Sequence, residues 1–188
     1  MKICITGGLG LVGANYAQHC MSLGQQVVIF DNEARGRASQ ANAEWLTEQA
    51  SGTQLEIIKG DVADAGSVAK LFRQHGHIDH VLHAAAQSSV NASMLDPFLD
   101  FRSNVIGTFH VLDAVRTLSG DSRLIVMASN KVYDVTEWPV TKQSSSYRWV
   151  DAETGPADGR PFETDAREPY GASKIFGLYY TRCYAAMY

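Results

Sequence analysis

The first thirty residues constrain the fold of this chain more than any other stretch. Residues 2–6 form a nearly continuous apolar run, which predicts a buried strand. Four glycines follow within the next seven positions, and a second apolar run at 26–30 ends in Asp31. Between them lies an amphipathic segment that ends near Gly24, a residue type that favours a helix C-terminus. This order of strand, glycine turn, helix, strand and acid is typical of a dinucleotide-binding unit.

The chemistry of a dinucleotide accounts for each part of this unit. Glycines let the backbone turn tightly and approach a pyrophosphate, and the next helix offers unpaired N–H groups to the phosphates. Asp31 can accept hydrogen bonds from both hydroxyls of an adenosine ribose, which favours NAD over NADP. A glycine-rich turn without a ligand is the alternative, and the flanking strands and the acid disfavour it. We therefore predict NAD as the cofactor. The helix is expected to bury Val12, Tyr16, Cys20 and Leu23.

Apolar strands and amphipathic helices continue to alternate along the chain. Further strands are predicted at 54–59, 78–83 and 123–128, and further helices at 38–49, 64–75, 96–118 and 171–188. This alternation predicts an α/β fold, a Rossmann-type doubly wound parallel sheet in one domain over residues 1–188. The helix at 96–118 is expected to bury Phe101, Val105, Phe109, Leu112 and Val115.

Residues 134–169 lack any helical or strand periodicity. The segment contains Trp138, Trp149 and four of the five prolines of the chain. A structureless loop of this length is uncommon in a compact domain unless it is functional or disordered. Because of the aromatic residues, we predict an ordered active-site insertion rather than a free linker.

Composition and charge exclude several classes of partner. The net charge is −4 without a basic cluster, which disfavours nucleic acid as a partner. No apolar run approaches the roughly twenty residues of a membrane span, and the chain begins directly in a strand, which leaves no room for a signal peptide. The three cysteines, Cys4, Cys20 and Cys183, are odd in number and widely spaced. They favour a reducing, cytoplasmic location over a disulfide framework.

Four histidines between residues 75 and 83 raise the question of a metal site. They are His75, His77, His80 and His83. No cysteine or carboxylate motif accompanies them at metal-ligand spacing. We therefore predict no metal site, and we interpret the stretch as a strand with its flanking loop.

Three residues form a candidate catalytic group. Ser129 follows the fifth predicted strand, so it lies at the sheet edge where ligands of such folds bind. Tyr170 and Lys174 are four residues apart and share one face of the last helix. A nearby ammonium favours the phenolate form of a tyrosine, which can then exchange a proton with a sugar hydroxyl while nicotinamide takes the hydride. The Tyr-x-x-x-Lys spacing alone is common by chance, but here it follows a dinucleotide unit.

These motifs together resemble those of the extended short-chain dehydrogenase/reductases of the NAD-dependent epimerase/dehydratase type. The segments that carry the resemblance are 6–13, 31–32, 60–62, 83–86, 104–108, 129–133 and 170–174. It implies a cofactor site formed by Gly7, Gly10, Leu11, Val12, Asp31, Asn32, Asp61, Val62, Ala84, Ala85, Ala86, Asn104, Tyr170 and Lys174. It also implies catalysis by Ser129, Tyr170 and Lys174, and substrate contacts from Gln87, Ser129 and Asn130. For Ala84, close strand–helix packing is an equally simple interpretation.

Within this family, the chain most resembles the CDP-paratose 2-epimerases. The resemblance implies transient oxidation of a nucleotide sugar at C2. It does not decide whether the chain forms a homo-oligomer. These epimerases often carry threonine at the position of Ser129 and commonly carry glycine at the position of Asp134. Asn130 and Lys131 stand where dehydratases carry an Asp-Glu pair, which disfavours dehydration. A UDP-sugar 4-epimerase remains an alternative, because its serine, tyrosine and lysine would look the same.

The resemblance also implies more chain than is present here. Family members continue past the Tyr-Lys helix into a substrate-binding part, which we expect to be missing. The alternative of another class is a catalytically inactive dinucleotide-binding module. It would be expected to lose one of the three catalytic residues, and all three are present.

Overall fold

A parallel five-stranded sheet forms the centre of the protein in the computed structural model, which describes residues 1–132, 140–149 and 168–188. The strands are β1 (Lys2–Thr6), β2 (Gln26–Asp31), β3 (Leu55–Lys59), β4 (His80–His83) and β5 (Arg123–Val126). Their order across the sheet is β3-β2-β1-β4-β5, and all four pairings are parallel. This order confirms the predicted Rossmann-type fold.

Helices cover both faces of the sheet. They are α1 (Leu11–Ser22), α2 (Arg37–Gln49), α3 (Ala65–His75), α4 (Val90–Leu95), α5 (Pro97–Asp100), α6 (Gly107–Leu118) and α7 (Pro169–Met187). Successive residues of β1 point to opposite faces, so Ile3 and Ile5 join one buried cluster with α1 and α2, while Cys4 joins another with α3 and α6. The two clusters are the two halves of the core. In the part of the chain that the structure describes, no helix combines the length and the apolar character that a membrane span requires.

The predicted insertion contains a short hairpin. Strands β6 (Val140–Lys142) and β7 (Tyr147–Trp149) pair antiparallel as a separate two-stranded sheet. The rest of the insertion up to residue 167, with Asp134 and also the preceding Tyr133, lies outside the described residues. Its role at an active site therefore stays a prediction.

The buried face of α1 differs from the predicted one. Val12 and Leu23 are exposed, and the residues that face the sheet are Gly13, Ala14, Ala17, Cys20 and Met21. The reason is the closeness of the helix to the glycine turn: a Cβ atom on Gly13 would collide with the carbonyl oxygen of Gly7. Small side chains therefore occupy the contact, and larger apolar ones are turned outward.

The long helix predicted at 96–118 is interrupted by a π-helical segment, Phe101–Ile106, between α5 and α6. Its i→i+5 bonding adds a residue to one turn, so the 3.6-residue period does not continue through it. Phe101 and Phe109 are 50% and 40% exposed, against the prediction. Asp100 and Asn104 take the buried face of this region instead.

Candidate active site

A cleft of about 420 Å³ opens at the carboxyl ends of the parallel strands. This is the edge at which open α/β sheets bind ligands. Its lining includes most of the predicted cofactor residues, namely Gly7, Gly10, Leu11, Val12, Asp31, Asn32, Asp61, Val62, Ala84, Ala85 and Ala86. The volume falls in the range of small-molecule and cofactor sites.

The glycine turn after β1 packs directly on the backbone of the loop after β4. Gly7 has a φ of +69°, and a Cβ there would lie 2.5 Å from the backbone nitrogen of Ala85. Ala84 and Ala85 therefore both pack closely against the turn and line the cleft. The turn leads into α1, whose N-cap Gly10 provides no side-chain hydrogen bond, so the first N–H groups of the helix are left for a ligand.

Two carboxylates stand at fixed positions on the cleft wall. Asp31 accepts hydrogen bonds from the backbone N–H groups of Leu9 (3.0 Å) and Glu33 (2.8 Å), one on each carboxylate oxygen. Each oxygen keeps acceptor capacity for a ribose hydroxyl. Asp61 forms an ion pair with Arg102 at 2.7 Å, so its charge is already compensated.

A buried hydrogen-bond network supports the wall behind Gln87. The Asn104 side chain accepts from the backbone N–H of Gln87 (2.9 Å) and donates to its carbonyl (3.0 Å) and to the Ser173 hydroxyl (2.9 Å). The Gln87 amide in turn donates to the Ser89 carbonyl (2.8 Å) and to Asp100 (2.9 Å). The predicted substrate contact of Gln87 and the predicted cofactor contact of Asn104 stay predictions, and the structure shows where each side chain lies. Gln87 lines the cleft but has no donor left for a substrate, and Asn104 is buried behind the wall, where it supports the site and does not face the cofactor cleft.

Tyr170 and Lys174 lie in the first two turns of α7 and are buried, at 7% and 9% exposure. Ser173 ties this turn together, because its hydroxyl donates to the Tyr170 carbonyl at 2.7 Å. Ser129 precedes a 3₁₀ turn, Asn130–Val132, that packs on α7. Within the described ranges, no hydrogen bond joins Ser129 to Tyr170 or Lys174. The three residues also lie outside the lining of the cofactor cleft.

His83, at the end of β4, is a buried polar residue behind this site. Its ring nitrogens lie 2.7 Å from the Thr6 hydroxyl and 3.0 Å from the Thr108 hydroxyl. Burial, and secondarily the Lys174 ammonium, lower the pKa of His83 to about 3, so the imidazole is neutral. The described residues contain no cluster of three potential metal ligands.

Burial also lowers the pKa of Lys174 from 10.5 to about 8. Below pH 8 the folded and unfolded states both carry the proton, so folding bears the full cost of burying the charge. Between pH 8 and 10.5 the folded state loses its proton first, and stability rises with pH. We expect Lys174→Met to be more stable than the wild type by about 3 kcal/mol at pH 7, and this difference to vanish by about pH 10.5.

Urea denaturation across that pH range checks this expectation. Lys70→Met, which replaces an exposed lysine of α3, is the matched control and should change stability by less than about 0.5 kcal/mol at each pH. A Lys174→Met difference that stays constant with pH would show that burial does not penalise the ammonium.

Comparison with known proteins agrees with the resemblance found in the sequence. The chain is 32% identical to a CDP-paratose 2-epimerase of Salmonella typhi, over 100% of this chain and 54% of that protein. It is 31% identical to a UDP-glucose 4-epimerase of Streptomyces lividans, over 93% of this chain and 44% of that protein. The chain therefore spans about half the length of the curated relatives it matches.

A solved structure shows the same relationship. The UDP-glucose 4-epimerase of Thermus thermophilus in complex with NAD superimposes with a TM-score of 0.74 at 27% identity, over 100% of this chain and 52% of that one. The description of the family model that matches residues 3–188 names NAD, which confirms the predicted cofactor at the level of the family. The chain belongs to the NAD dependent epimerase/dehydratase family.

Proposed function

We propose that the protein is an NAD-dependent nucleotide-sugar epimerase that inverts C2 of CDP-paratose. The observation that carries this proposal is the buried Tyr170–Lys174 pair on α7, in a chain whose sheet edge forms a dinucleotide cleft. The similarity to the Salmonella typhi 2-epimerase supports the choice of substrate. A cytoplasmic location is part of the same proposal.

The residues of the cleft fit NAD. Close packing of the backbone at Gly7 and Gly13 keeps the turn tight, and the glycines of this turn line the cleft where a pyrophosphate would lie. Asp31 is held at the ribose position by two backbone N–H groups. When bound, NAD supplies the chemistry of accepting a hydride from a sugar carbon and returning it.

The protein's own residues would handle the proton and the orientation. In the proposed reaction, the Tyr170 phenolate takes the proton of the C2 hydroxyl as that carbon is oxidised, and gives it back when the carbon is reduced from the other face. Lys174 follows Tyr170 by four residues on the same face of α7, and in the proposed reaction its positive charge would support the proton exchange at the phenol oxygen. Ser129 would hold the sugar oxygen. Oxidation and reduction cancel, so no net redox change occurs.

Dehydration is the less suitable activity, although dehydratases share the family. Expulsion of water needs a general acid and a general base beside the sugar. The positions after Ser129 carry Asn130 and Lys131, which cannot form a carboxylate pair. Both residues are exposed in the short 3₁₀ turn that follows β5.

A UDP-sugar 4-epimerase is the second candidate, favoured by the 31% identity to the Streptomyces lividans enzyme. The same tyrosine, lysine and serine would serve at C4. A catalytically inactive dinucleotide-binding module is the third, and the retention of Ser129, Tyr170 and Lys174 is the argument against it.

Incubation of the protein and NAD with CDP-paratose or with UDP-glucose distinguishes these candidates. Proton NMR of the sugar ring reports which carbon is inverted. We expect inversion at C2 of CDP-paratose and none in UDP-glucose. Inversion at C4 of UDP-glucose alone would favour the second candidate, and no turnover with NAD bound would favour the module.

A further inference from the structure

An arginine side chain crosses the mouth of the cleft. The guanidinium of Arg35, in the loop between β2 and α2, donates to the Ser88 hydroxyl at 2.8 Å, and Ser88 lies in the loop after β4. Since β1 lies between β2 and β4 in the sheet, this bond passes over the end of β1 and its glycine turn. Both residues line the cleft.

The loop that carries Arg35 is firmly built. Glu33 has a φ of +59°, the one non-glycine residue with a positive φ in the described part of the chain. It is held there by a hydrogen bond from its N–H to Asp31 (2.8 Å), by a bond from the Gly36 N–H to its carbonyl (2.9 Å), and by an ion pair with Lys59 (2.6 Å). Because a strained backbone of this kind persists only when its surroundings enforce it, the fold sets the backbone position of Arg35 at the cleft, and the bond to Ser88 directs its side chain.

The charge of Arg35 has no carboxylate partner among the described residues. Of the two acids of the cleft wall, Asp61 pairs with Arg102, and Asp31 bonds to two backbone N–H groups and forms no ion pair with Arg35. Ser88 is a neutral partner that fixes the direction of the guanidinium without neutralising it. The uncompensated charge of the guanidinium at this cleft favours binding of an anionic group of the ligand.

We propose that Arg35 binds the pyrophosphate of the dinucleotide, and that the hydrogen bond to Ser88 holds the Arg35 guanidinium across the cleft. This inference rests on the proposed binding of NAD. The pyrophosphate would lie between the glycine turn and the Arg35 guanidinium, so that Arg35 contacts it from the side opposite the turn. An arginine near Asp31 could instead bind the 2′-phosphate of NADP, and that contact would favour NADP over NAD.

Calorimetric titration of the full chain with NAD, ADP and adenosine tests this assignment. Arg35→Ala should weaken NAD and ADP by about 10- to 100-fold, as expected for loss of a charge-assisted hydrogen bond, and leave adenosine unchanged. Ser88→Ala should weaken NAD only about twofold to fivefold, because the guanidinium remains. Arg37→Ala is the matched control: Arg37 is exposed, two residues further on, and absent from the cleft lining, so NAD binding should be unchanged.

Three results would overturn the inference. They are unchanged NAD binding by Arg35→Ala, an equal loss of adenosine binding, and a loss confined to NADP in a parallel titration. A wild-type protein that binds no NAD would overturn the proposed function together with this inference. If the wild type binds NAD and Arg35→Ala binds it equally well, only the inference fails.

Discussion

Replacement of Gly7 by alanine is expected to destabilise the protein by about 3 kcal/mol and to abolish measurable NAD binding. Two costs combine at this position. A φ of +69° is unfavourable for alanine by about 1–2 kcal/mol, and the new Cβ would lie 2.5 Å from the Ala85 nitrogen and 2.7 Å from the Ala84 carbonyl carbon. Because these are backbone atoms, the turn and the loop after β4 must move apart, which deforms the cleft. Urea denaturation and calorimetry measure the two effects.

Gly24→Ala is the matched control for this substitution. Gly24 has nearly the same φ, +72°, but no atom lies within 4 Å of a Cβ built there. It should therefore show only the backbone cost of about 1–2 kcal/mol and keep its affinity for NAD. Equal destabilisation by the two substitutions would mean that the contact between the turn and the β4 loop is looser than the structure shows.

Tyr170→Phe is expected to lower the rate of epimerisation by about 10²- to 10⁴-fold, because the proton of the sugar hydroxyl loses its acceptor. The ring remains, so the fold and the affinity for NAD should be retained. Tyr179→Phe, an exposed tyrosine of the same helix, is the control and should leave the rate unchanged. NMR assays of the sugar product measure the rate. A Tyr170→Phe protein with the wild-type rate would remove Tyr170 from the proposed chemistry.

The sheet and the cofactor cleft could be predicted from the sequence because local patterns determine them. Strands buried on both faces show as apolar runs, and the glycine turn with Asp31 allows few other folds. The buried face of α1 could not be predicted in the same way. Hydrophobicity favoured Val12 and Leu23, whereas close approach to the turn required small residues such as Ala14 and Ala17.

The side-chain partners within the site could not be predicted from the sequence. Gln87 and Asn104 have the chemistry of ligand-binding residues, but in the structure the Asn104 amide bonds to the Gln87 backbone and to Ser173, and the Gln87 amide donates to Ser89 and Asp100. The π-helical segment that turns Asn104 inward leaves no periodic signal. Similarly, the bond from Arg35 to Ser88 joins residues 53 positions apart, which no local pattern reveals.

The fate of hydrogen at the inverted carbon tests the proposed epimerisation most directly. CDP-paratose deuterated at C2 would be incubated in ordinary water with the protein and NAD, and the product examined by NMR and mass spectrometry. If the hydride moves to the cofactor and returns, the inverted product keeps its deuterium at C2. Replacement of the label by solvent hydrogen, or no inversion at C2 with NAD bound, would contradict epimerisation by transient oxidation.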